Sequence, residues 1–229
     1  MPPTITLEVQ KVAEKEYYYE GNGESLKGKV YLYLKRLFDI LIASLGLLVA
    51  MVPKLLIFIL IKLESPGPAI YVHKRVGKNG KVLPLLKFRS MYIDADKMIE
   101  NFTPEQKAEW EANFKLENDP RITKLGNFLR KSSLDELPQL INVLKGELSL
   151  VGPRPVVEKE LEKYGLRRNK FLSVTPGLTG YWQAYARSSC SYEKRIEMEL
   201  EYVDKANLWW DFKIIFATVG AVLHGRGAQ

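Results

Sequence analysis

The chain has 229 residues, 46% hydrophobic and 27% charged, with a formal net charge of +7. That length suits one domain, or one domain with a small appendage, and a mean hydropathy of −0.15 excludes a protein that crosses a membrane many times. The single cysteine, Cys190, excludes an intrachain disulfide and a Cys-rich zinc site, while the positive excess calls for an anionic partner: nucleic acid, anionic lipid or a phosphate-rich substrate.

Residues 1–28 read as an appendage. Ile5, Leu7 and Val9 alternate with polar residues as a short edge strand would, and Lys15 to Ser25 is polar, aromatic and glycine-containing, as a linker is. No basic region followed by an apolar stretch opens the chain, so no cleaved leader is expected.

Residues 29–62 form the most apolar segment. Leu37 to Ile61 splits into two runs, Ile40 to Pro53 and Leu55 to Ile61. Each is shorter than the roughly 20 residues that a spanning helix needs. Pro53 has no amide hydrogen and its ring clashes with the preceding turn, so a helix is expected to break there. Both flanks are basic: Lys29, Lys35 and Arg36 before, Lys62, Lys74 and Arg75 after. Equal flanks fit a helix that enters the bilayer and returns to the same side. A tilted span is the stronger alternative, although Lys54 near its midplane would cost about 2.5–3.5 kcal/mol. A buried core helix of a soluble protein is the weaker one.

Residues 63–229 read as a cytosolic domain. Glu64 to Pro68 is a sharp turn. Ala69–Arg75 and Lys81–Phe88 read as strands of a hairpin closed by Gly77-Lys-Asn-Gly80. Polar helices are expected over Asp94–Glu100 and Pro104–Lys115, and a short one within Asn118–Lys131. Leu134–Leu144 is apolar at helical spacing and stops at Gly146. Two helices follow, Tyr192–Val203 and Leu208–Leu223. The last combines Trp209, Trp210, Phe212 and Phe216 with few charges, which suits a membrane interface or a core-packed helix equally well. The expected fold class is therefore α+β and mostly helical: a membrane-associated single domain with a Pro-broken re-entrant helix, a small β-hairpin and interfacial helices.

Ser133-Leu-Asp135-Glu136 matches the Ser-x-x-Glu capping box of a helix start, with Pro138 in the first turn. On sequence physics alone, capping is the stronger reading of both acids. Chemistry is the other: adjacent carboxylates can hold Mg²⁺ together with substrate phosphates, and a carboxylate can attack phosphorus. Cations to offset phosphate charge are at hand in Lys87, Arg89, Arg130, Arg154 and Arg187. Arg154 sits in Val151-Gly-Pro-Arg-Pro155, whose prolines restrict the backbone and suit a guanidinium presented to phosphate. Thr175 to Gln183 is a second glycine-containing turn, and Gln183 is a candidate substrate contact. Each turn also reads as architecture alone. His73 and His224 sit in no motif and read as ordinary residues.

Taken in order, Lys35-Arg36-Leu-Phe-Asp39, Ser65-Pro-Gly-Pro68, Arg75-Val-Gly77, Lys87-Phe-Arg-Ser-Met91, Asp119-Pro-Arg-Ile-Thr-Lys-Leu-Gly126, Ser133-Leu-Asp-Glu-Leu-Pro-Gln-Leu140, Asn142-Val-Leu-Lys-Gly146, Gly152-Pro-Arg-Pro155, Pro176-Gly-Leu-Thr-Gly180 and Gly225-Arg-Gly227 resemble the bacterial sugar transferase family. These are monotopic phosphoglycosyl transferases that initiate glycan assembly on polyprenyl phosphate. The resemblance runs from about Lys35 onward. It implies a catalytic dyad at Asp135 and Glu136, with Asp135 as nucleophile and Mg²⁺ ligand. It further implies a UDP-sugar donor, undecaprenyl phosphate as acceptor, UMP as product, and phosphate-binding roles for Lys87, Arg89, Arg130, Arg154 and Arg187. The active site would lie on the cytosolic face of the cytoplasmic membrane among anionic lipids, without nucleic acid; a homodimer is left open. Larger members carry an upstream membrane bundle, and the chain resembles the minimal catalytic form.

Two departures stand out. Val52 precedes the helix-breaking Pro53 where the family often has Ser, and Tyr185-Ala-Arg187 replaces a frequent Asn-Gly-Arg. Two other classes compete: a nucleic-acid binder, suggested by charge but lacking a reader motif or basic stripe, and a membrane scaffold in which Asp135 and Glu136 only cap a helix.

Overall fold

The computed structural model describes residues 26–113, 116, 118–186 and 190–223. The expected strand at Ile5–Val9, the linker after it, Phe114, Lys115, Arg187, His224 and the Gly225–Gly227 motif lie outside the described residues.

Helix α1 (Leu26–Val49) and helix α2 (Met51–Glu64) meet at an angle of 59°. No single helix among the described residues is long and apolar enough to cross a membrane, but this bent pair together is. The break falls at Ala50 (φ −81°, ψ 3°), not at Pro53. Pro53 remains its physical cause. It cannot donate to the carbonyl one turn back, Val49, and its ring crowds that carbonyl, so the distortion appears upstream of the proline. The hydrogen bonds on either side persist, Ala50 N to Gly46 O and Lys54 N to Ala50 O. Pro53 then sits in the first turn of α2, where a missing donor costs little.

The body docks one side of this bent pair. Ile57 and Ile61 of α2 pack with Ala69, Phe88 and Leu129, and Glu64 accepts the amide of Leu125 at 2.9 Å. The other side is open: Leu45, Leu48, Val49, Val52 and Leu55 are each more than half exposed.

Strands β1 (Ile70–Val76) and β2 (Val82–Phe88) form the expected antiparallel hairpin, with Asn79 and Gly80 at positive φ in its turn. Small helices follow: α3 (Ala95–Met98), α4 (Pro104–Asn113) and α5 (Lys124–Lys131). Thr123 caps α5 by accepting the Gly126 amide. Helix α6 (Gln139–Lys145) ends at Gly146 in the left-handed region, as read from the sequence. The Arg36 guanidinium reaches over from α1 to bond the Val143 and Leu144 carbonyls at 2.6 and 2.7 Å. One α1 residue thus satisfies the orphan acceptors at the end of α6.

A second, parallel strand pair was not expected: β3 (Ser149–Val151) beside β4 (Gly177–Thr179). The connection between them holds α7 (Glu158–Leu161), a 3₁₀ segment (Glu162–Arg167) and α8 (Arg168–Leu172). Helices α9 (Tyr181–Tyr185), α10 (Tyr192–Lys205) and α11 (Leu208–Leu223) complete the described fold. The main core joins Ala43 of α1, Leu83 and Leu85 of β2, Val143 of α6, Leu150 of β3, Tyr202 of α10 and Ile214 of α11. Helix α11 divides its faces. Ile214 and Asp211 are buried, whereas Trp209 and Phe216 are exposed.

Candidate active site

Asp135 and Glu136 do not cap a helix. Ser133 stands at φ +58°, its side chain makes no capping bond, and Leu134–Glu136 forms a separate 3₁₀ turn before α6. A non-glycine residue in the left-handed region is uncommon and costs about 1–2 kcal/mol. The strained turn leaves both carboxylates facing β2 instead of the backbone amides that a capping box would offer. The sequence preference for capping is thereby corrected.

Lys87 of β2 bridges the two acids. Its Nζ lies 2.8 Å from Glu136 Oε1 and 3.6 Å from Asp135 Oδ2. Burial raises the Asp135 carboxyl above its ordinary range, and Glu136 adds to this against the pull of Lys87 and Arg130. For Glu136 burial also works upward, but Lys87 and Arg154 outweigh it and hold the carboxyl low. The pair is split into a more basic Asp135 and a firmly ionised Glu136. A buried, more basic carboxylate beside a charged one suits a nucleophile with a supporting partner.

The hairpin positions Lys87 through Asn142, which is fully buried on α6. Its Oδ1 accepts the Leu86 amide at 3.0 Å, while its Nδ2 donates to Pro84 O at 2.9 Å and to Glu147 Oε2 at 2.6 Å. Asn142 therefore takes the place of a neighbouring strand along β2. Sequence reading placed Asn142 in a motif without assigning it work. Its flanking apolar residues and the stop at Gly146 marked a buried helix, which was the available signal.

The cations divide by environment. Arg130 Nε donates to Ser90 Oγ at 2.8 Å, and its charge reaches Asp135. Arg89 is 7% exposed and donates to Pro66 O, Ser65 O and Ser65 Oγ, all within 2.8 Å. Its guanidinium braces the turn after α2 instead of facing the dyad. Gly67 answers that brace: it has φ +107°, and a Cβ there would meet Arg89 Nη1 at 2.5 Å. Gln183 Nε2 donates to Leu178 O at 3.3 Å, within its own turn.

Arg154 is held by two features that the sequence presented as unrelated turns. Gly152 N donates to Thr179 O and Gly177 N to Pro153 O, both at 2.9 Å. A Cβ on Gly177 would run into the Gly152 backbone, and one on Gly152 would meet Thr175 O at 2.6 Å. The Gly-Pro-Arg-Pro and Pro-Gly-Leu-Thr-Gly motifs are thus two sides of one contact, closed only because both glycines lack a side chain. Glu199 of α10 fastens the Arg154 amide at 2.8 Å.

Glu199 is buried, and that burial pushes its carboxyl up to about 7, opposed by Arg195 and Arg154. A folded-state value above the unfolded one means that the native state binds more protons between about pH 4.5 and 7. Stability from this group therefore falls as pH rises through that window. Asp135 shares the sign and Glu136 opposes it, so the measurement is a difference. Glu199→Gln should flatten the decline in melting temperature over that window, and superimposable pH profiles for the two proteins would refute the assignment.

Among the described residues no group of three or more His, Cys, Asp or Glu side chains is placed to hold a metal. Asp135 alone, with phosphate oxygens from a substrate, matches the habit of Mg²⁺ of taking one or two carboxylates and keeping its waters.

The family model for bacterial sugar transferase matches residues 30–225. A UDP-galactose-lipid carrier transferase of Erwinia amylovora is 46% identical over 199 residues, covering 86% of this chain and 42% of that protein. The exopolysaccharide production protein ExoY of Rhizobium meliloti is 46% identical over 197 residues, covering 85% of this chain and 87% of that protein. A UDP-glucose:undecaprenyl-phosphate glucose-1-phosphate transferase of Escherichia coli is 41% identical over 195 residues, covering 81% and 39%. The chain thus spans about two fifths of the longer relatives and most of ExoY. With the match running from α1 through α11 and carrying the whole dyad region, the chain belongs to the bacterial sugar transferase family.

Proposed function

We propose that the protein transfers a sugar-1-phosphate from a UDP-sugar to undecaprenyl phosphate, as the priming step of a polysaccharide. The observation that carries this reading is the Asp135–Glu136 pair on a strained turn, bridged by Lys87 of β2, in a chain of this family. An Asp135 carboxylate oxygen attacks the β-phosphorus, the bond from that phosphorus to the bridging oxygen breaks, and UMP leaves with the electron pair. An oxygen of undecaprenyl phosphate then attacks the same phosphorus, the Asp135–phosphorus bond breaks, and the carboxylate is restored. One phosphoanhydride replaces another, so the exchange needs little driving force. Glu136 keeps Lys87 beside the developing charge, and Arg130 and Arg154 add cations around it. Mg²⁺, bound by Asp135 and the diphosphate, would supply further charge neutralisation. Intact mass spectrometry of membrane-reconstituted protein with a panel of UDP-sugars should detect a phosphosugar adduct before acceptor is added. No adduct, and no UMP release when acceptor is supplied, would reject the reading.

The same proposal places α1 and α2 in the cytoplasmic membrane as a re-entrant pair, with the active site on the cytosolic face. Their bend of 59° and open apolar side support it. The outer face of α11, with Trp209 and Phe216, suits the interface, and the net charge of +7 suits anionic lipid. Single cysteines at Tyr33 and Leu63, in a Cys190→Ser background, should both label from the cytosolic side with an impermeant maleimide. Labelling from opposite sides would overturn re-entry and leave the chemistry standing.

A further inference from the structure

Strand β1 carries two residues that the mechanism above does not use. In the hairpin register Tyr71 pairs with Lys87, His73 with Leu85 and Arg75 with Leu83. Directly opposed residues share a face, and so do residues two apart along a strand. Tyr71, His73 and Arg75 therefore lie on the same face as Lys87, the residue that holds the dyad. The Tyr71 and His73 rings contact each other at 5.8 Å between centroids, consistent with that placement. Lys74 points the other way and is exposed.

Among the described residues the Arg75 guanidinium makes no ion pair, and its Nε is buried without a hydrogen-bond partner. The Arg154 side chain likewise makes none; the contact fixing Arg154 is through its backbone amide. Of the nearby carboxylates, Glu199 faces Arg195 at 3.5 Å and Glu136 is taken up by Lys87; Glu160 lies 3.7 Å from Arg195, and its charge reaches Arg75 and partly offsets the crowding there without forming an ion pair with it.

These cations crowd one another. Burial first, then the Arg154 charge, brings the Arg75 guanidinium down to about 10, still protonated at neutral pH. Burial and the charges of Arg75, Lys87 and Arg154 hold the His73 imidazole down to about 4, so it is neutral and able both to donate and to accept. Strand β1 meets the Arg154 segment at Val76, whose amide donates to Val156 O at 2.8 Å, so two guanidiniums without ion pairs among the described residues and a neutral imidazole share one locality, an arrangement that an anion relieves. Guanidinium forks match phosphate oxygens.

We infer that His73 and Arg75 of β1, together with Arg154, form a phosphate-binding subsite on the Lys87 face of the hairpin, next to the Asp135–Glu136 dyad. It takes a phosphate group that must lie beside the attacked phosphorus. This rests on the proposed reaction, which supplies two such groups: the nucleoside monophosphate portion of the donor and the phosphate of the lipid acceptor.

The test is direct binding to the membrane-reconstituted full chain, with UMP in one arm and farnesyl phosphate in the other. Arg75→Gln should raise the dissociation constant for one probe by about tenfold or more, as expected for a lost charge-assisted contact. The affected arm identifies which phosphate is held. His73→Gln, which keeps a donor, should weaken the same probe less. Lys74→Gln removes equal charge from the opposite face and should leave both affinities in place. Unchanged affinities in Arg75→Gln and His73→Gln, or equal losses in Lys74→Gln, would overturn the subsite while the transferase reading stands. Wild-type protein that binds neither probe would overturn both. Melting temperatures accompany each variant, and Arg154→Gln provides a second route if Arg75→Gln does not fold.

Discussion

Asp135→Asn is expected to abolish both the phosphosugar adduct and UMP release, by at least about 10³-fold, while the protein stays folded and membrane-bound. The amide is isosteric with the carboxylate but cannot form the acyl phosphate. Folding should survive for a reason visible in the site. The Asp135 carboxyl is raised chiefly by burial, so its charge is a native-state cost that the amide removes. Lys87 retains its closer contact with Glu136 at 2.8 Å. Turnover by the variant within about tenfold of wild type would remove Asp135 from the nucleophile role. Loss of turnover accompanied by a large fall in melting temperature would assign it a structural one.

The second large effect concerns stability and falls on a residue that touches no reacting group. Asn142→Asp should destabilise the protein by about 3 kcal/mol, measured by chemical denaturation, and lower turnover with it. The carboxylate keeps the shape and still accepts from Leu86, but it cannot donate to Pro84 O or Glu147. It also sets a negative charge against Glu147 where a 2.6 Å hydrogen bond stood. Asn142→Leu should cost a similar amount by leaving the Leu86 amide and the Pro84 carbonyl buried without partners. A loss below about 1 kcal/mol in both variants would show that β2 does not depend on this contact.

Much of the fold was legible where local chemistry decides it. The hairpin turn at Asn79-Gly80, the stop at Gly146 and the span of α11 follow from turn residues and apolar periodicity acting over a few neighbours. Three features were not legible, the first two because their partners are distant in the chain. The pairing of Gly152 with Gly177 joins segments 25 residues apart through two absent side chains. The Ser-x-x-Glu pattern signalled a cap, but the pull of Lys87 from 49 positions away is part of what holds Glu136 elsewhere. The sequence points to Pro53 for the break, three residues beyond its position at Ala50, because a proline disturbs the turn before it. Of the site residues, Asp135, Glu136 and Lys87 are brought together. Arg89 is a brace, and Arg187 lies outside the described residues. His73, read as ordinary, shares a face with Lys87 because strand register places it there.

Arg36 has a consequence beyond helix capping. It pins α1 to the end of the helix that follows the dyad, through the carbonyls of Val143 and Leu144. The stretch of α1 from that pin to the bend at Ala50 measures about 20 Å at 1.5 Å per residue. The hydrocarbon core of a bilayer is about 30 Å thick. In the proposed setting the first limb is thus a ruler too short to reach the far leaflet. Its fixed length sets how high the dyad rides above the lipid tails, as a keel of given draught sets the waterline of a hull.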